Sequence, residues 1–323
     1  MSERLSPAEV LSAYERIKDY IYETPLEESP YLGSGGRRYF FKLESAHRVK
    51  SFKIRGALSK ITTLTGAEKE KGVATVSSGN HGIAVSYASK LLGITNALII
   101  VPKCTPKAKT DRIKFFGGQV MLLGENYDEA HRLGLQYIAE QGMTYIDAYD
   151  NDEKVYAGQG TVALEILKQN PDIDTIVLPI GGGGLITGAA VAAKALKPGI
   201  RIIGVQTEVC TAMIRALQDN VYYGEYPCSG NTVCESLVGG VGRLAFSMLG
   251  DYADDIIAVR ESTIRKAVKH MILQEKFIVE GGSAAVLAAV MEAPERVGGK
   301  NVALVMSGGN IDADLITEII NEE

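Results

Sequence analysis

The chain has 323 residues, 46% hydrophobic and 23% charged, a balance typical of globular proteins and long enough for about two domains of roughly 150 residues each. A formal net charge of -5 leaves no basic excess to displace counterions from a phosphate backbone, which excludes a nucleic-acid partner from the expected set. No apolar run approaches the roughly 18 residues of a membrane span, and MSERLSPAEV has no apolar secretory core, so no membrane association and a cytoplasmic location are expected.

In chain order, Ser6-Pro7-Ala8-Glu9 reads as a capping box with proline in the first helical turn. Val10, Leu11, Tyr14, Ile17 and Ile21 follow at helical spacing and predict one amphipathic helix. RRYFFKLE, after Pro25 and Pro30, predicts a strand. The next stretch, VKSFKIRGAL, places Lys53 between Phe52 and Ile54, where its amine is either a surface charge or a group held for covalent chemistry.

From Gly72 onward, short apolar runs alternate with helical segments. The runs are GVATVSS, ALIIVP, QVMLLG, TYIDA, TIVLPI, RIIGVQ, IIAV and NVALVMS; helical periodicity marks 80–92, 107–116 and 128–141 among others. Strands apolar throughout and alternating with helices predict an α/β fold of mostly parallel sheets covered on both faces. Three of these strands end in a special turn: Ser77-Ser78-Gly79-Asn80, Gly181-Gly182-Gly183-Gly184, and Ser307-Gly308-Gly309-Asn310. Ligands of open α/β sheets collect beyond the carboxyl ends of strands, so these turns are candidates for one crevice.

The glycine run precedes Leu185 and a helix, an arrangement that aims several N–H groups at one anion, although four glycines also make an ordinary tight turn. It is no P-loop, having no Lys-Ser/Thr after it, and its spacing fails the dinucleotide fingerprint. Gly240-Val241-Gly242-Arg243-Leu244-Ala245 matches that fingerprint formally but follows no strand pattern. Asn80 by itself reads first as a helix N-cap and second as part of an anion turn, and His81 by itself as a packed or surface histidine. The four cysteines, without CxxC spacing, and the four scattered histidines argue for free thiols and no metal site. One cofactor uses a phosphate cradle, an amide and a hydroxyl near a ring, and a lysine: pyridoxal 5'-phosphate.

SFKIRGA, SSGNHG, AGQGT, PIGGGGL, EGGSA and SGGNID, in this order over nearly the whole chain, resemble the threonine/serine dehydratase and serine racemase family of fold-type II pyridoxal-phosphate enzymes. The resemblance implies two open α/β domains, a large cofactor-binding one from 1–65 and 150–323 and a small substrate-side one from 66–149, with no C-terminal regulatory domain. It implies Lys53, with Phe52 beside it, as the Schiff-base lysine, Asn80 on the phenolic oxygen, 181–185 on the phosphate and Ser307 facing the pyridine nitrogen. Ser77, Ser78, Gly79, Asn80 and His81 would bind the substrate carboxylate, with Ser78 also a catalytic candidate. A hydroxyl opposite the ring nitrogen, unlike an aspartate, leaves the pyridine neutral and favours loss of a β-hydroxyl over transamination. Low solvation of Lys53 is expected to lower its pKa toward a general base's range.

Two departures matter. Gln206 and Ala212 stand where serine racemases carry acidic metal ligands, so that divalent site is expected to be missing, leaving Glu208 as a solvated carboxylate or, second, a weak ligand. Thr232-Val233-Cys234-Glu235-Ser236-Leu237 differs from the family's usual segment near the substrate, where Glu235 either reshapes the pocket or points to water. The expected activity is dehydration and deamination of L-threonine and L-serine by a homodimer or homotetramer. Serine racemase, or a dehydratase for another β-hydroxy amino acid such as hydroxyaspartate or a hydroxyectoine-derived compound, is the alternative.

Overall fold

The computed structural model describes residues 4–33 and 35–322; residues 1–3, 34 and 323, which include the start of MSERLSPAEV, lie outside the described set. Among the described residues, ten strands build two sheets: β1 (Leu26–Glu28), β2 (Arg38–Leu43), β3 (Val73–Val76), β4 (Ala97–Val101), β5 (Gln119–Leu122), β6 (Thr144–Tyr145), β7 (Thr175–Pro179), β8 (Arg201–Thr207), β9 (Asp255–Val259) and β10 (Asn301–Met306). The larger sheet runs β1-β2-β10-β7-β8-β9 and the smaller β5-β4-β3-β6. Every pairing is parallel except that of β1 with β2. Helices covering both faces explain why β4 and β7 are buried along their whole length and read as unbroken apolar runs.

Two expectations at the N-terminus are corrected. Ser6 Oγ accepts from the Glu9 N–H at 3.2 Å, but the Glu9 carboxylate turns to Arg16 and Lys154, so only half of the capping box forms. The helix also stops at Ile17, leaving Ile21 beyond it. Among the described residues, no helix is long and apolar enough to cross a membrane.

The last strand in sequence, β10, lies inside the larger sheet between β2 and β7, with Leu304 level with both Phe41 and Val177. Its exit is therefore drawn next to the entry of the Lys53 helix (Lys53–Ile61): Phe52 N–H donates to Ser307 O at 3.0 Å and Gly309 N–H to Lys50 O at 2.8 Å. Lys50 takes a left-handed φ of 61° to make that crossing. Helices Glu153–Gln169 and Gly184–Leu196 meet backbone to backbone, since a Cβ on Gly160 would stand 2.5 Å from Gly188 O. That close approach seats Gln159 beside the glycine turn.

Candidate active site

All the predicted site residues line one cleft of about 1880 Å³: Phe52, Lys53, Ser77, Ser78, Gly79, Asn80, His81, Gly181, Gly182, Gly183, Gly184, Leu185 and Ser307. Lys53 opens its helix, and its Nζ donates to Ala148 O at 3.1 Å and stands 5.2 Å from the centre of the Phe52 ring. Among the described residues no carboxylate lies at ion-pair distance from it. Burial disfavours the ammonium, against the pull of Asp147 and Glu280, and lowers the pKa to about 8.

The glycine turn leads from β7 into helix Gly184–Leu196, whose N-cap, Gly183, has φ 96° and offers no side chain to the free N–H groups. No backbone carbonyl among the described residues accepts from the N–H groups of Gly181, Gly182 or Gly183. Side chains are excluded there: a Cβ on Gly182 would lie 2.2 Å from Tyr149 Cδ2, and one on Gly184 would lie 2.4 Å from Gln159 Oε1. The result is a cradle of bare main-chain donors at a helix N-terminus, which suits a phosphate. The formal fingerprint at 240–245 has another purpose. Gly242 N–H donates to Gly182 O at 2.8 Å, and a Cβ on Gly242 would strike Tyr149 O at 2.0 Å, so its glycines permit packing behind the cradle.

On the opposite wall, Gly79 is the N-cap of helix Asn80–Leu91, and Asn80 is its first residue, which corrects the N-cap reading of Asn80. Asn80 Nδ2 donates instead to Glu280 Oε1 and Oε2 at 2.9 and 3.1 Å, and Asn80 Oδ1 accepts from Asn310 Nδ2 at 2.5 Å. Burial raises the pKa of Glu280 despite those donors. His81 Nε2–H is held by Ile146 O at 2.9 Å, and burial followed by the Lys53 charge lowers the imidazole pKa to about 4. The ring is neutral and has no proton for a carboxylate; only the main-chain N–H of His81 faces outward at the helix start. Ser307 Oγ lies 3.1 Å from Ser283 Oγ, and Ser283 donates its proton to Gly308 O at 2.6 Å, so within this pair Ser307 is the donor and Ser283 Oγ the acceptor.

Sequence reasoning passed over three residues. Glu280 and Gln159 sit inside the motifs EGGSA and AGQGT, yet nothing in those motifs indicates a carboxylate on Asn80 or a buried amide beside a glycine turn. Both amide atoms of Gln159 are buried without a partner. The third, Arg55, carries the helix of Lys53 from below. It is fully buried and donates to Glu44 at 2.6 and 2.8 Å, to Glu165 at 2.7 Å twice, and to Thr161 at 3.1 Å. Lys42 Nζ completes the cluster on Glu165 at 2.7 Å. As for the departures, Glu235 is exposed and meets Lys109 at 3.1 Å across the cleft. Gln206 Oε1 accepts from Ile214 N–H at 3.0 Å, and Glu208 Oε1 from Glu261 N–H at 3.3 Å.

Comparison with known proteins agrees with this geometry. The model of the family "Pyridoxal-phosphate dependent enzyme" matches residues 17–308. An L-threonine ammonia-lyase of Thermotoga maritima is 38% identical over 97% of this chain and 78% of its own length. A serine racemase of Arabidopsis thaliana is 39% identical over 94% of each chain. The structure of maize serine racemase superposes with a TM-score of 0.91 at 32% identity, covering 98% of this chain and 97% of that one. The chain therefore belongs to the fold-type II pyridoxal-phosphate-dependent enzymes, in the group that holds threonine dehydratases and serine racemases, and its cofactor is pyridoxal 5'-phosphate.

Proposed function

We propose that the protein is an ammonia-lyase that eliminates water from L-threonine and L-serine, releasing a 2-oxo acid and ammonia. The observation that carries this reading is one partly buried lysine amine, free of carboxylate partners among the described residues, on the same cleft as an uncapped glycine turn. The residues present fit the cofactor: the bare donors of 181–185 for its phosphate, Asn80 for its phenolic oxygen, the neutral Ser307 for its ring nitrogen and Lys53 for its aldehyde. Residues 1–65 and 150–323 would form the cofactor-binding unit and 66–149 the substrate-side unit, a division supported by the smaller sheet falling entirely between Val73 and Tyr145.

Bound pyridoxal phosphate supplies a carbonyl that joins covalently to amines and a ring that spreads the charge left when a Cα proton departs. The chain supplies the rest. The main-chain N–H groups at the start of helix Asn80–Leu91 orient the substrate carboxylate. Lys53, its pKa lowered to about 8, has a substantial neutral fraction near neutrality and takes the Cα proton. Ser307 offers a hydroxyl and no negative charge to the ring nitrogen, which leaves the ring a modest electron sink and favours prompt departure of the β-hydroxyl. The enamine that is released tautomerises to an imine and takes up one water, replacing the one lost, so that threonine yields 2-oxobutanoate, and serine pyruvate, each with one ammonia.

Ser78 supports a second reading. It lines the cleft, and its hydroxyl has no hydrogen-bond partner among the described residues, so it is available as a second proton carrier for racemisation. The test is product analysis on the purified holoenzyme with L-threonine and L-serine. Release of 2-oxobutanoate and pyruvate is expected; D-serine without pyruvate would transfer the assignment to a racemase.

A further inference from the structure

Two of the four cysteines meet beside the cleft. Cys210 lies just beyond the carboxyl end of β8 and is buried, while Cys228 is exposed on the segment that leads back to the cleft wall. Their neighbours hold the two stretches together: Val209 O accepts from the Ser229 N–H at 2.9 Å and from Ser229 Oγ at 3.1 Å. The two thiols interact, and burial, with the Cys228 thiol adding to it, raises the Cys210 pKa. Cys210 Sγ–H also donates to Gly239 O at 3.5 Å. Residues 224–227 before this junction, and 231–233 and 235–240 after it, line the cleft, whereas neither cysteine is among its described lining residues.

A disulfide needs Cα atoms within about 7 Å, and the main-chain bond between Val209 and Ser229 keeps the two backbones that close. Placement divides the roles. Cys228 meets a dissolved reagent first, and Cys210, shielded from water, reaches it only through Cys228. We propose that Cys210 and Cys228 are a modification site, where a low-molecular-weight disulfide converts them to a reversible protein disulfide that resets the cleft wall between 224 and 240. Cys228 gives its proton to solvent, and its thiolate attacks one sulfur of the reagent, whose S–S bond breaks and releases one thiolate. Cys210 then loses its proton, attacks the Cys228 sulfur and expels the second. The two protein sulfurs lose two electrons, the two reagent sulfurs gain them, and the two protons end on the released thiols. Closure also removes the S–H that Gly239 O accepts, so the wall changes on both sides of the junction. The site itself is independent of the elimination reading; only the turnover measurement below rests on it.

Cys104 is exposed and is replaced by serine in every sample, so that it takes no part. Holoenzyme incubated with oxidised glutathione is expected to lose two thiols, with a non-reducing peptide map joining residues 210 and 228, and dithiothreitol should restore both. Over the same cycle kcat/KM for L-threonine is expected to fall about tenfold and recover, with the absorbance of bound cofactor unchanged. Cys228→Ser should show neither the link nor the fall, and Cys210→Ser should stop at a glutathione adduct on residue 228. In the protein that keeps both cysteines, a persistent adduct on Cys228 beside an unmodified Cys210, or no reaction at all, overturns the site. A link that leaves kcat/KM unchanged overturns its action on the cleft. A link formed in a protein that eliminates nothing sustains the site while sinking the elimination reading.

Discussion

The polar cluster beneath the Lys53 helix and the cleft above it use the same kinds of group in opposite ways. Below, Arg55, Glu44, Glu165 and Lys42 are buried, and each is held by partners at 2.6 to 3.1 Å. Above, Gln159, His81 Nδ1 and Asn310 Oδ1 are buried with nothing bonded to them, and the glycine turn leaves its N–H groups bare. Buried polar atoms are normally matched within a chain, and these unmatched ones belong to residues on the two facing walls of one cleft, where a bound group can complete the bonding. The lower cluster anchors strand β2 and helices Lys53–Ile61 and Glu153–Gln169 to each other, so that the amine opens onto the cleft from a rigid support.

The largest effects should come from the amine itself. Lys53→Ala is expected to lower turnover by about 10⁴-fold or more, and borohydride reduction with peptide mapping should label residue 53 in the parent protein and nothing in the variant. The lowered pKa carries a sign: the neutral, reactive amine grows about tenfold per pH unit up to about 8 and then levels. The rate at which cofactor-free protein takes up pyridoxal phosphate, followed by absorbance, should bend near that pH. A bend at an ordinary lysine's value would show the amine to be solvated. Arg55→Met comes next. It strands two carboxylates in the interior and is expected to cost roughly 3–5 kcal/mol, read by denaturant unfolding, whereas a loss below about 1 kcal/mol would make the lower cluster incidental. Gly182→Ala is smaller again. Its methyl would displace Tyr149 or the turn at about 1–3 kcal/mol, which should appear as a rise of about 5- to 150-fold in the cofactor's dissociation constant by equilibrium dialysis.

The two regions were not equally legible in the sequence. Strand positions were, because burial on both faces forces runs such as ALIIV and TIVLP to be apolar throughout. Strand β1 was not: Leu26-Glu27-Glu28 is a short edge whose exposed glutamates carry no strand signal. Helix Pro7–Ile17 overran in the reading because nothing after Ile17 in the sequence is a strong stop. The cleft's glycine turn and its asparagines were visible because bare backbone requires glycine. The surroundings of Asn80, Gln159 and Arg55 were not, because the bonded Glu280 and Glu165 lie 200 and 110 positions from Asn80 and Arg55, the glycine turn that Gln159 adjoins lies 25 positions from it, and only the fold brings them near.

The smallest effect is also the sharpest test of the contrast. If the buried amide of Gln159 is unmatched only until a ligand arrives, removing its polarity should help the empty protein and harm the loaded one. Gln159→Leu keeps the approximate volume and deletes a donor and an acceptor that have no partner. The cofactor-free variant is expected to gain about 1 kcal/mol, since an unsatisfied buried group no longer has to be kept from water. The rise in melting temperature that pyridoxal phosphate confers should shrink in the same variant. The corresponding change below, Glu165→Gln, should destabilise the protein with or without cofactor, because there the partner is a guanidinium of the chain itself. A Gln159→Leu protein less stable than its parent when empty would mean that the amide is satisfied internally, and the distinction between the two regions would fail at its clearest point.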